Sequence, residues 1–190
     1  LIMKKIVIFA SGSGSNAQRI YEYFSENKNI EISLILSNNP KAGVLERAKK
    51  MSIPYIVFDR ICFYKSPYIH AILKNIQPDL IVLAGFLWKF PEEIINNFQN
   101  KIINIHPSLL PKYGGKGMYG MNVHSAVIEN KEKESGITIH YVNEHYDQGE
   151  IILQEKTEIL ETDTPESLAQ KIHLLEYEHF PKVIENILFT

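Results

Sequence analysis

Three side chains stand out for chemistry: Asn104, His106 and Asp147. The first two lie in Asn104-Ile105-His106-Pro107-Ser108-Leu109-Leu110-Pro111, directly after the apolar Ile102-Ile103. Residues two apart on a strand share a face, so an amide and an imidazole would converge on one reacting atom. The amide donates hydrogen bonds without titrating, and the imidazole exchanges protons near neutral pH. Such a pair suits a transition state in which a carbonyl oxygen turns negative while an attacking amine loses a proton. Asp147 sits in the polar segment Asn143-Glu144-His145-Tyr146-Asp147-Gln148-Gly149, where the role of a turn-initiating aspartate is equally open. Beside an imidazole, its carboxylate is expected to favour the charged ring and raise the histidine pKa.

A second candidate is Ser11-Gly12-Ser13-Gly14-Ser15-Asn16-Ala17, between a predicted strand and a predicted helix. Its glycines allow backbone N–H groups to close around an anion at the helix N-terminus, with phosphate the natural guest. The run Gly12-x-Gly14-x-x-Ala17 also matches a dinucleotide-binding pattern. That pattern wants an acid after the second strand, where this chain has Ser37-Asn38-Asn39. A tight turn with no ligand is the plain alternative. Ala84-Gly85-Phe86-Leu87-Trp88 follows another apolar strand, and its small residues would let a flat heterocycle approach the backbone, although Phe86 and Trp88 fit a core equally well. His140 shares a strand face with Thr138 and Val142 and suits either a structural or an active-site role.

Other chemistries find little support. His70, His124, His145, His173 and His179 lack metal-site spacing, so no metal is expected. Cys62 is the only cysteine, which excludes an internal disulfide and fits a packing role. No Gly-x-Ser-x-Gly elbow is present, and Ser108 has no evident partner to activate it.

The elements that must position these residues alternate in period. Segments 5–10, 30–36, 54–58, 79–83 and 101–105 read as strands, and 16–26 and 43–51 as helices. Ile69, Ile72, Leu73 and Ile76 mark another helix, and Pro91-Glu92-Glu93 opens a short one. Repeated βα units with near-continuous apolar strands predict an α/β fold, Rossmann-like and doubly wound, with a mostly parallel central sheet and helices on both faces. The Gly-rich connection 112–120 has no period and is expected to move. A short helix at 123–129 follows, then two alternating segments, 136–142 and 149–159, that would extend the sheet as a hairpin. The final helix begins near Thr164-Pro165-Glu166 with Leu168, Ile172 and Leu175 on its apolar stripe, and Pro181 predicts a kink or break in it. Loops 11–16, 85–90, 106–111 and 143–148 all follow strand ends, so most should line one crevice.

With 190 residues and 45% hydrophobic content, the chain can bury a substantial core and is expected to form one domain over 1–190. Leu1-Ile2 ahead of Met3 read as a start-site remnant outside the fold. A net charge of −2 with mixed signs offers no basic field for nucleic acid, so small molecules are the expected partners. No apolar run approaches a membrane span, and a soluble, cytoplasmic protein is expected, as monomer or homodimer.

Taken in order, Ser11-Gly12-Ser13-Gly14-Ser15-Asn16, Leu83-Ala84-Gly85-Phe86, Asn104 to Pro111 and Asp147-Gln148-Gly149-Glu150-Ile151-Ile152 resemble the phosphoribosylglycinamide formyltransferase family of folate-dependent enzymes, over essentially the whole chain. The resemblance implies transfer of a formyl group from 10-formyltetrahydrofolate, a co-substrate, to the amine of glycinamide ribonucleotide in purine biosynthesis, without a metal. It places Gly14, Ser15 and Asn16 at the nucleotide's phosphate and Glu176 at its ribose. It sets the folate against the backbone of Leu87, Trp88, Lys89 and Phe90 and of Asn143, Glu144, His145, Tyr146 and Asp147, with Asn104 touching it too. His106 becomes the catalytic acid, Asp147 the carboxylate that sets its pKa, Asn104 an oxyanion donor and His140 a supporting residue near that carboxylate. Departures from the family pattern are Trp88 and Tyr177, at places where Arg and His are usual, a longer 116–120 loop, and Lys65 as the only equivalent of a folate-contacting Arg. A deformylase releasing formate from the same co-substrate, or a non-catalytic nucleotide-binding module, are the alternatives.

Overall fold

A computed structural model describes residues 2–190, so Leu1, half of the expected start-site remnant, lies outside the described residues. The first half of the chain runs β1 (Lys4–Phe9), α1 (Ser15–Phe24), β2 (Ile30–Ser37), α2 (Gly43–Lys50), β3 (Tyr55–Val57), α3 (Arg60–Tyr64), α4 (Tyr68–Ile76) and β4 (Leu80–Leu83). The second runs α5 (Glu92–Asn97), β5 (Ile102–His106), α6 (Met121–Glu129), β6 (Glu134–Tyr141), β7 (Ile151–Glu158) and α7 (Pro165–Phe189). Seven strands make one sheet in the order β3-β2-β1-β4-β5-β6-β7. Strands β1 to β5 pair in parallel, whereas β6 and β7 join antiparallel, as the alternating segments predict.

Alternation along each strand builds two cores, one per face. Ile6 and Ile8 of β1, Leu80 and Val82 of β4, and Ile103 and Ile105 of β5 pack under α1, α2, α6 and α7. Val7, Phe9, Ile81, Leu83 and Ile102 face the opposite way, toward α4, α5 and an aromatic group of Phe58, Phe63, Phe86 and Phe90. Asn104 and His106 share the parity of Ile102 but stand at the carboxyl end of β5, where the core gives way to a cleft.

The chain leaves β1 toward β2 on one side and reaches β4 on the other, so the order reverses between β1 and β4. Open parallel sheets bind ligands at such a switch point. Ser11 locks it: its N–H donates to the Gly85 carbonyl at 3.0 Å, its Oγ donates to Asn38 Oδ1 at 2.7 Å, and the Leu87 N–H donates to that Oγ at 3.0 Å. Asn38 and Asn39, which stand where a dinucleotide-binding pattern wants an acid, therefore tie the β1 loop to β2.

Two expectations are corrected. The α3 turn was not anticipated, because five residues are too few for a period. Its local signal is Asp59, whose side chain accepts the Cys62 N–H at 2.8 Å as an N-cap. And α7 does not break at Pro181, which is buried inside a continuous helix. Proline leaves the carbonyl four residues back, that of Tyr177, without its usual N–H. The Arg19 Nε donates to that carbonyl at 3.1 Å instead, and Phe180, Val183 and Ile184 hold both sides of the proline in the core. The helix opens on a capping box between Thr164 and Ser167. Among the described residues no helix is long and apolar enough to cross a membrane.

Candidate active site

A cleft of about 650 Å³ runs over the switch point and gathers three of the four strand-end loops directly, with Tyr146 and Asp147 from the fourth. Gly14, Ser15, Asn16, Leu87, Trp88, Lys89, Asn104, His106, Tyr146, Asp147 and Glu176 all line it. Phe90 does not, since its ring is buried 5.0 Å from that of Phe9. Asn143, Glu144 and His145 stay in the β6–β7 turn outside the lining, where Asn143 Oδ1 accepts the His145 N–H at 2.9 Å. Lys65 caps the end of α3, also away from the cleft.

At one end, Gly14 adopts φ 77° and ψ 20°, a left-handed turn that starts α1. An added Cβ would lie 2.5 Å from the Val44 side chain, so only glycine fits this approach to α2. The N–H groups of the first helical turn are thereby left to face an anion. Asn16 Nδ2 donates to Glu176 Oε2 at 3.0 Å, and His173 Nδ1 lies 3.0 Å from the same oxygen. Hydrogen bonding to Glu176 raises the His173 pKa above its usual value of 6.5. Sequence reasoning passed over His173, although the His-x-x-Glu spacing on a helix brings such a pair together.

At the other end, the register of β5 and β6 sets Asn104 opposite His140, with Asn104 Nδ2 3.1 Å from His140 Nε2. His140 Nδ1 donates to the Tyr141 carbonyl at 2.9 Å, which leaves Nε2 of the neutral ring to accept from the amide. The Asp147 carboxylate bridges two imidazoles, 3.6 Å from His106 Nδ1 and 3.6 Å from His140 Nε2. These separations exceed hydrogen-bond length, so Asp147 acts on each ring electrostatically, and most strongly when that ring is protonated. His106 Nε2 donates to the Tyr113 carbonyl at 2.7 Å, and the Gly115 N–H donates to Asp147 Oδ2 at 2.9 Å. The Gly-rich connection thus engages both catalytic candidates.

Burial pushes the His106 pKa down; Asp147 and the Tyr113 carbonyl push it up, and His140 lowers it again. The net result lies below 6.5, which corrects the expected rise. The carboxylate acts in the anticipated direction, but an imidazole only 4% exposed loses more from desolvation than this partner returns. Burial also pushes Asp147 up, yet His140, His106 and the Gly115 N–H outweigh it and hold the carboxyl below its usual 3.8.

Arg60 and Tyr64 of α3 also line the cleft and were missed with their helix. The Arg60 guanidinium lies 4.7 Å from the centre of the Trp88 ring, and Tyr64 OH donates to the Lys89 carbonyl at 2.8 Å. Trp88 therefore carries a guanidinium on its face, so the cation that the third βα connection brings to the cleft is Arg60, not Lys65. His124 of α6 also lines the cleft.

The reversal of strand order, an anion-ready helix start and an imidazole–carboxylate–amide group at one strand end together define an α/β protein with a small-molecule site suited to group transfer. The chain belongs to the formyl transferase family, whose model matches residues 4–184. It is 38% identical over 187 residues to the chloroplastic phosphoribosylglycinamide formyltransferase of Arabidopsis thaliana, covering 95% of this chain and 64% of that protein. It thus spans less than two thirds of that plant relative's length, and 60% of its Vigna unguiculata counterpart's. Against the Bacillus subtilis phosphoribosylglycinamide formyltransferase it is 38% identical over 191 residues, covering 98% of this chain and 95% of that one. The crystal structure of phosphoribosylglycinamide formyltransferase from Bacillus halodurans superposes with a TM-score of 0.88 at 35% identity, covering 98% of this chain and 96% of that chain.

Proposed function

We propose that this chain transfers the formyl group of 10-formyltetrahydrofolate to the amine of glycinamide ribonucleotide. The observation that carries the proposal is the continuity of one cleft from the Gly14 turn to His106 and Asp147. A transferase needs a seat for a phosphorylated acceptor next to its proton-handling groups, and hydrolysis of the folate alone does not. The names of the relatives agree with this reading. At about 650 Å³ the cleft falls within the roughly 300–1,000 Å³ of small-molecule sites.

In this account Gly14, Ser15 and Asn16 hold the phosphate, with His173 beside them as a further cation, and Glu176 takes the ribose hydroxyls. Leu87, Trp88, Lys89, Tyr146 and Asp147 seat the folate, and Arg60 offers its guanidinium to the folate's carboxylate end. As the amine attacks the formyl carbon, charge grows on oxygen. Asn104 donates to that oxygen, and a donor of this kind contributes about 3–4 kcal/mol. His106, protonated on Nδ1 against Asp147 once the substrates are bound, passes its Nε2 proton to that oxygen and recovers it as the carbonyl reforms and the bond to the folate nitrogen breaks, and a positioned acid gives roughly 10²–10⁴ in rate. Its Nε2–H is aimed at Tyr113, so the loop must release that contact for the proton to reach substrate. Asp147 stabilises the imidazolium and helps the proton lost by the amine toward the departing folate nitrogen.

The test is to follow 10-formyltetrahydrofolate with and without glycinamide ribonucleotide. Turnover that requires the nucleotide is expected; turnover indifferent to it would replace this reading with a deformylase, and no turnover would leave a binding module.

A further inference from the structure

Buried polar atoms in native proteins almost always have partners, so each exception calls for a cause. Among the described residues four buried side-chain atoms lack one: Ser33 Oγ, His70 Nε2, His124 Nδ1 and Ser135 Oγ. Only His124 belongs to a residue that lines the cleft. Its side chain is buried, at 3% exposure, between Val123 and Val127 positions that anchor α6 in the core. Nothing in the protein is bonded to Nδ1, which is closed to solvent in this conformation, so no internal contact explains an imidazole at this position and a ligand meets that nitrogen only once the ring turns toward the cleft. It lies within electrostatic reach of both halves of the site, for the charges of His173, Glu176 and His106 are all felt at its ring. Burial, then the neighbouring His173, holds its pKa below 6.5, and the ring is neutral at physiological pH. A neutral imidazole has one nitrogen with a free lone pair.

We propose that His124 is a binding residue for the acceptor nucleotide, accepting a hydrogen bond from the amide N–H that links its ribose to its glycyl amine. The inference rests on the formyl-transfer reading above. The amide lies between the phosphorylated ribose, placed near Glu176, and the amine, placed near His106, and His124 lines the same cleft with both of those side chains acting on its ring. A ring that accepts a hydrogen bond there would fix the glycyl arm's direction, which governs whether the amine meets the formyl carbon.

The test is steady-state kinetics of the wild type, His124→Ala and His124→Asn with two acceptors, the nucleotide itself and an analogue carrying CH₂ in place of the amide N–H. Loss of one hydrogen bond of this kind corresponds to about ten-fold in KM. The wild type is expected to show that ten-fold preference for the true acceptor, and His124→Ala to lose it while the KM for 10-formyltetrahydrofolate stays within about two-fold. His124→Asn, whose amide oxygen can accept, should recover part of the preference. Retention of the preference in His124→Ala, or an equal rise in both KM values, would overturn the proposal. Failure of the unmutated protein to use the true acceptor would instead overturn the formyl-transfer reading, and this inference with it.

Discussion

His106 Nδ1 and Asp147 Oδ2 stand 3.6 Å apart across the end of β5, with both side chains largely withdrawn from water. Because His106 Nε2 already donates to the Tyr113 carbonyl, the second imidazole proton can sit only on Nδ1, facing the carboxylate. Protonation is therefore opposed by burial and supported by Asp147.

Replacing Asp147 by Asn removes that support, so the His106 pKa is expected to fall further below 6.5. Folding stability follows the same shift. A histidine whose folded pKa is depressed contributes stability that is present above 6.5 and is lost as pH falls through the folded pKa. The variant should lose stability to acid over a wider range on that side. Titration of the imidazole signals by NMR checks this, and an unchanged or higher His106 pKa would contradict the pairing.

Arg60→Ala should raise the KM for 10-formyltetrahydrofolate with little effect on nucleotide binding, because the guanidinium lies over Trp88 in the cleft wall proposed to seat the folate. Arg60→Lys should restore it poorly, since a point charge replaces a planar fork. Separate binding titrations of the two substrates measure the split.

Gly14→Ala places a Cβ against Val44 at a left-handed backbone position. Strain and overpacking together should cost about 2–4 kcal/mol of stability. Nucleotide affinity should fall more than folate affinity, because the displaced turn begins α1. Denaturant unfolding and titration of each substrate report the two effects independently.

Arg19→Met strands the Tyr177 carbonyl and is expected to cost about 1–2 kcal/mol. Pro181→Ala supplies the N–H that this carbonyl lacks, so in the double variant most of the Arg19 loss should disappear. A double-mutant cycle in urea measures the coupling, and additive losses would refute it.

The sheet and its hairpin extension were legible because strand periods and apolar runs are local properties, and the strand-end rule then predicted which loops would meet. Glu176, Asn104, His106 and Asp147 were found through family resemblance and residue chemistry, and the structure brings them to one cleft. What sequence could not show was tertiary. Pro181 reads as a breaker until Arg19 arrives from α1, 162 positions away in the chain as 181 less 19. Arg60 was hidden in a helix too short for periodicity, and the depressed His106 pKa depends on how deeply β5 is buried. The side chains of Phe90 and Asn143 fell outside the lining because strand-end proximity does not fix the direction in which a loop residue points.

If one cleft joins a nucleotide seat to a formyl-transfer centre, the formyl carbon itself must pass from one substrate to the other. With 10-formyltetrahydrofolate carrying ¹³C in the formyl group, and glycinamide ribonucleotide present, carbon NMR should show the label moving to an N-formyl amide on the nucleotide, and His106→Ala should slow that transfer by roughly 10²–10⁴. Label collecting as free formate, at a rate indifferent to the nucleotide, would contradict the account.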